Sequence, residues 1–255
     1  SLLSLDVHEF AYQLTMNSCD LYYKITPKEL LNCAWSNALL KHRAPNIVAL
    51  TDKFNRLSQW GQNEILCAKS IGERLKLMKY FATLATTLWD MKNYFDAIAV
   101  ATIFESTSMY RLNHHKQLLG EEALKDVNHI INDEMSSDKN FARIRQIYKQ
   151  AKDSLPAIPY VGPYLTDLIF TYDGMPDYIN GLPNLTKCLK VFDLIDSVMA
   201  FQRKQFNFLK IDQIQDKIKN LHGFDEQDLY AKSLLIEYEK SYDEFLQRYN
   251  SESSS

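Results

Sequence analysis

The chain has 255 residues, 46% of them hydrophobic, enough for one large domain with a sizeable core or for two small ones. A net charge of −3 and a pI near 6.1 leave no electrostatic footprint for a nucleic-acid backbone, so no nucleic-acid partner is expected. No run of ~18 or more apolar residues suggests a transmembrane segment, and no basic-then-apolar leader opens the chain. Glycine and proline are scarce, at seven each. A sheet protein relies on glycine for the positive φ of its tight turns, and average usage is roughly 7%, so the shortage favours long helices with few connections. Cys19, Cys33, Cys67 and Cys188 lie far apart without a CxxC pair. They are expected to be buried free thiols in a reducing, cytoplasmic setting.

Taken in chain order, the first strong periodic segment runs from Arg74 to Asp90. Leu77, Met78, Phe81, Leu84, Ala85, Leu88 and Trp89 form a broad apolar stripe there, as in a deeply buried helix. Residues 155–183 then collect five of the seven prolines and three of the seven glycines. Between these breakers Tyr164–Tyr172 reads as a short helix, started by Pro163 and stopped by Gly174 and Pro176. Asn184 is placed to cap a further helix over Cys188–Phe201, with Cys188, Val191, Phe192, Ile195, Val198 and Met199 on one face. These two helices make a hairpin. A last periodic segment holds Leu229, Tyr230, Leu234, Leu235 and Tyr238, with Asp225 or Asp228 as its cap. No period-2 alternation is long enough for a sheet, no repeats are visible and no linker divides the chain. The expectation is an all-α fold in one domain over residues 1–250, followed by a disordered tail at 251–255.

Catalytic signatures are missing. The sequence has no GxxxxGK[ST] loop, no HExxH and no GxSxG. His114 and His115 are adjacent, which on a helix turns them about 100° apart, and both are expected in surface or loop positions. Glu121–Glu122 and Asp133–Glu134 read as solvated helix faces. No metal site and no cofactor are expected, and the chain reads as a binding or regulatory domain rather than an enzyme.

Seven stretches in collinear order resemble the catalytic domain of Ras-family guanine-nucleotide exchange factors, the RasGEF domain. The first carries Leu21, Tyr22, Ile25, Pro27, Glu29 and Leu30, and the second Pro45, Asn46, Ile47, Phe54, Asn55, Leu57, Ser58 and Trp60. Arg74 stands at the start of the long central helix and Asn93-Tyr94 at its end, followed by Met109-Tyr110-Arg111-Leu112. Then come Pro159, Tyr160, Gly162, Tyr164, Leu165, Thr166, Asp167 and Leu168, and finally the closing Asp228-Leu229-Tyr230 to Glu239 stretch.

The resemblance implies a helical bowl with a protruding hairpin, here about residues 162–208, that wedges open the nucleotide site of a Ras-subfamily small GTPase (Ras, Rap or Ral type). It implies catalysis by contact, with Ile169 presented toward the Mg²⁺ site and Asp173 toward the phosphate-binding loop. Tyr160, Phe141, Ile98 and Leu50 are the implied walls of a GTPase-gripping pocket, and Thr166 and Phe170 are counted with that surface. Such domains sit in longer multidomain proteins, cytoplasmic and recruited to membranes by other modules. Departures from the family pattern include Asp173 for a glutamate, Phe170 for a lysine, Glu105 for an asparagine and Asp52 for an arginine. Lys187-Cys188-Leu189-Lys190 replaces a Lys-Arg-Arg-Lys run, and the two missing charges are expected to weaken attraction to an acidic GTPase surface. The alternatives are a weak or inactive GTPase-binding scaffold and an unrelated helical interaction module.

Overall fold

Short polar side chains open the main helices of the computed structural model, which describes residues 2–253. Asp6 Oδ1 accepts the Glu9 N–H at 3.0 Å and starts α1 (Val7–Tyr22). A 3₁₀ segment, Pro27–Ser36, follows, with Asn32 and Cys33 in the left-handed region at φ +54° and +49°. Its Glu29 is buried, and one carboxylate oxygen accepts the backbone N–H groups of Asn46 at 2.7 Å and Ile47 at 3.2 Å. That places a negative charge on the N-terminal end of α2 (Pro45–Leu66), where the helix dipole favours it. Ser70 caps α3 (Ile71–Asp90) and Asn93 caps α4 (Tyr94–Ala101). Four short helices come next: α5 (Thr107–Tyr110), α6 (Asn113–Leu119), α7 (Lys125–His129) and, after a π-turn at Ile130–Glu134, α8 (Ala142–Ala151). Then come α9 (Gly162–Gly174), a ribbon of β1 (Tyr178–Ile179) and β2 (Leu182–Pro183), and α10 (Leu185–Met199). The chain closes with α11 (Asp212–Lys219), α12 (Glu226–Ile236) and α13 (Tyr242–Ser253).

The fold is all-α apart from that ribbon of two residues per strand. Helix α3 is central: it packs on α1, α2, α4 and α13, while α12 lies over α2 and α5. One continuous apolar core includes Tyr22, Phe81, Phe95, Tyr148 and Phe201, all fully buried. A polar knot sits inside it. Lys53 Nζ lies 3.2 Å from Asp96 Oδ1, while Ser18 Oγ and Asn93 Nδ2 donate to Asp96 Oδ2 at 2.6 and 2.7 Å. Lys53 and Asp96 are both buried, so each charge stays affordable only with its partner in place.

Several expectations need correction. Ser251–Ser253 belong to α13 rather than to a tail, and Ser254 and Ser255 lie outside the described residues. Of the four free cysteines, only Cys19 is buried, and Cys67 and Cys188 are exposed. His115 is not on the surface: it is fully buried against Glu237, 122 positions away. On α10, Val191 and Val198 face inward but Cys188 and Phe192 face out. Helix α12, capped by Asp225, buries Leu229 and Ser233 and leaves Tyr230, Leu234 and Leu235 exposed.

Candidate functional site

The approach to α9 is stitched onto the core. Ile158 N–H donates to the Lys92 carbonyl at 2.9 Å, and Phe95 N–H donates to the Ile158 carbonyl at 3.3 Å. Two residues on, the backbone of Tyr160 is held by one buried hydroxyl. The Tyr148 Oη–H donates to the Tyr160 carbonyl at 3.1 Å, and its oxygen accepts the Tyr160 N–H at 2.8 Å. The half-buried Tyr160 ring lies on Phe54, with centroids 5.2 Å apart and planes at 31°. It also covers Gly162, where an added Cβ would stand 2.5 Å from the ring carbon bearing the hydroxyl. The Tyr-x-Gly spacing therefore has a steric cause.

Helix α9 divides cleanly. Pro163, Tyr164, Leu168 and Thr171 are buried, whereas Thr166, Phe170 and Asp173 are exposed and Ile169 is half-buried. Offsets of three, four and seven put these last four on one side of the helix. Phe170 is 70% exposed, an uncommon position for a large aromatic side chain. Beyond α9, Asn180 and Gly181 turn the ribbon at φ +52° and +78°. Both values suit a tight two-residue hairpin, for which Asn-Gly is the preferred dipeptide. Leu185, Leu189 and Phe192 then leave an apolar line on the outside of α10. Of sixteen exposed large hydrophobic residues among those described, seven lie between Phe170 and Phe192. A large share of the exposed apolar side chains thus lies on this hairpin.

Phe141 is half-buried at the start of α8, with φ +58°. Lys139 and Asn140 before it are left-handed too, at φ +50° and +58°, and three such residues in a row are costly outside glycine. A clamp to α9 holds them. Arg145 Nη2 lies 2.8 Å from Asp167 Oδ2, Arg145 Nε donates to the Asn140 carbonyl at 2.8 Å, and Asn140 Nδ2 donates to Asp167 Oδ1 at 3.1 Å. The segment carrying Phe141 is thus tied to the residue next to Thr166.

Leu50 and Ile98 do not belong to an open pocket. They are 1% and 3% exposed and lie in the core. The aromatic surface beside Tyr160 is supplied instead by Phe54, one turn beyond Leu50 on α2. Its signal was the Phe54–Trp60 motif itself, which places Phe54 among the resembling residues. Lys187 is the second surprise. It is 6% exposed, and its ammonium donates to the carbonyls of Tyr172 and Met175 at 3.1 and 2.6 Å. It cannot attract a partner as surface charge. No group of three or more His, Cys, Asp or Glu able to hold a metal ion occurs among the described residues. No helix among them is long and apolar enough to cross a membrane.

Comparison with known proteins shows the family. The family model for the RasGEF domain matches residues 9–189, from α1 into the start of α10. The chain belongs to the RasGEF domain family. Ras guanine nucleotide exchange factor J of Dictyostelium discoideum is 31% identical over 92% of this chain, and exchange factor A of the same organism is 30% identical over 94%. Cell division control protein 25 of Saccharomyces cerevisiae is 30% identical over 92%. This RasGEF chain spans 29%, 42% and 15% of those three relatives' own lengths. In them the matching region is one part of a longer protein.

Proposed function

We propose that this RasGEF domain promotes release of guanine nucleotide from a Ras-subfamily GTPase of the Ras, Rap or Ral type, by inserting the α9–α10 hairpin near the nucleotide site. The observation that carries this reading is the outward side of α9, where Ile169 and Asp173 share one face while the opposite face is anchored in the core. No covalent chemistry is involved. An apolar side chain next to the Mg²⁺ site offers no oxygen ligand, and so disfavours retention of the metal. A carboxylate at the phosphate-binding loop occupies donors that otherwise serve phosphate. Tyr160, backed by Phe54, and Phe141 supply apolar anchoring for the GTPase. An exchange factor of this kind binds the nucleotide-free GTPase more tightly than the loaded one, and linkage requires it to weaken nucleotide affinity by the same factor. By likeness to the longer relatives, the domain works inside a larger cytoplasmic protein whose other parts bring it to its GTPase.

The test is release of a fluorescent guanine nucleotide from a panel of Ras, Rap and Ral type GTPases. One of them is expected to be discharged faster with this protein present. The complex should form without nucleotide and separate when nucleotide and Mg²⁺ are added. The double change Ile169→Ala, Asp173→Ala should lower the maximal release rate far more than it weakens encounter with loaded GTPase. Binding without accelerated release would make the domain a scaffold instead.

A further inference from the structure

We propose that Lys187 is a positioning residue for the release step: from the first turn of α10 it fixes the last turn of α9, and with it the carboxylate of Asp173. This rests on the exchange reading and extends it to a residue inside the hairpin. The final carbonyls of any helix lack intrahelical donors, and a cation at that end also favours the helix dipole. In α9 those needs are met from across the hairpin. The Lys187 ammonium donates to the carbonyls of Tyr172 at 3.1 Å and Met175 at 2.6 Å, and pairs with Asp177 Oδ1 at 2.8 Å. An ammonium has three N–H donors, and here it meets three oxygens. The same nitrogen stands 5.0 Å from the centroid of the Tyr172 ring. Asn184 completes the arrangement: its Nδ2 donates to the Pro176 carbonyl at 2.9 Å and its backbone N–H to the Asp177 carbonyl at 2.8 Å. Its Oδ1 accepts the Lys187 N–H at 3.2 Å, so the helix cap of α10 and the clasp on α9 are one structure.

Asp173 follows directly on Tyr172 and is exposed. The backbone turn that Lys187 grips therefore sets the point from which the Asp173 carboxylate reaches outward. A burial this complete is expensive for an ammonium unless every donor is used. That expense is informative, because a lysine serving only as surface charge has no reason to be inside. The placement separates the two lysines of the run. Lys187 is interior and holds geometry, whereas Lys190 is exposed and available to solvent.

The experiment uses the full chain and the GTPase identified by the release panel, with four proteins: wild type, Lys187→Met, Asp173→Ala and the double variant. Lys187→Met keeps the stem and removes the donors. The maximal release rate is expected to fall roughly tenfold with little change in the half-saturating concentration, as loss of charge-assisted hydrogen bonds implies. In the Asp173→Ala background the same change should have almost no further effect, a non-additivity that a general loss of fold would not produce. Should Lys187→Met melt below the assay temperature, Lys187→Gln, which keeps one donor group, takes its place in the same cycle. A wild-type maximal rate, or equal slowing with and without Asp173, overturns the inference while leaving the exchange reading intact. A silent Asp173→Ala overturns the role given to Lys187, while the Ile169→Ala, Asp173→Ala double variant and the release panel still decide the exchange reading.

Discussion

Tyr160 shows how much a single residue's role depends on what lies beneath it. Its backbone is clasped by Tyr148 and its ring rests on Phe54 over a glycine, so the exposed part of the ring is held in one orientation. A rigid, partly exposed aromatic loses little freedom on binding, which is what an interface anchor needs. Tyr160→Ala is therefore expected to weaken binding of nucleotide-free GTPase by about 2 kcal/mol or more. Gly162→Ala should reproduce part of that loss although it removes no contact atom, because its Cβ would displace the ring. Titration calorimetry with both variants, with folding checked by circular dichroism, decides the matter; unchanged affinity in both would remove Tyr160 from the interface. At this scale the sequence was legible where a motif carried its own steric reason, as in Tyr160-x-Gly162. It misled for Leu50 and Ile98, whose apolar character suits a pocket wall and a core equally well. Nothing local showed that Lys187 would be interior, because lysine is mostly a surface residue and only the carbonyls around it explain its burial.

Helix starts and stops were the most readable elements. Pro163, Gly174 and Asn184 marked the hairpin helices, and in the structure α9 runs from Gly162 to Gly174 and α10 starts after its Asn184 cap. The small ribbon closed by Asn180 and Gly181 was not anticipated, because two residues per strand are too few to show a period-2 pattern. Less readable was which side of α10 faces in, since an apolar stripe on a packed helix and one left for a partner have the same period. The link between α8 and α9 was hidden too: Arg145 and Asp167 are far enough apart in sequence that no local pattern joins them. That link should govern local stability. Arg145→Ala removes the charge pair and the bond to the Asn140 carbonyl, leaving the left-handed run tied to α9 through the Asn140 side chain's bond to Asp167. The expected result is faster amide hydrogen exchange at residues 139–145 and in the first turns of α9, with protection in α3 unchanged. The global cost should be modest, about 1–2 kcal/mol, because the pair is only half-buried. Exchange that accelerates uniformly, or not at all, would show that the clamp does not hold this corner.

Across the whole molecule, the buried polar relays decide how distant segments close on one another. The low glycine content and helical periodicity made the all-α class legible, but the way the end of α12 is tied to α3 was not, because the link runs through His115. Arg74 Nη1 donates to His115 Nε2 at 3.1 Å while His115 Nδ1–H donates to Glu237 Oε2 at 2.6 Å, an arrangement that requires a neutral ring. The Glu237 carboxylate also accepts the backbone N–H groups of His114 and His115 at 3.0 and 3.1 Å, at the start of α6. Burial, the largest influence, holds the His115 imidazolium below the ordinary histidine value of 6.5, and Arg74 and Arg248 push the same way against the pull of Glu237. Glu237 is itself held below the usual 4.5: burial alone would raise it, but the bonds from His115 and the two N–H groups outweigh that. The sign for His115 follows from linkage. Below pH 6.5 the unfolded chain takes up a proton that the folded chain resists, so stability present above that value is lost as pH falls toward the folded value. The slope for one proton approaches ~1.4 kcal/mol per pH unit, and Glu237 adds loss in the same direction at lower pH. Denaturant unfolding at about pH 7.5 and about pH 5.5 tests this on wild type and His115→Gln, whose amide can keep one donor and one acceptor in place. The variant should be less stable at the higher pH yet lose less on acidification. If wild type and variant lose stability equally, His115 does not couple the closing helices to pH.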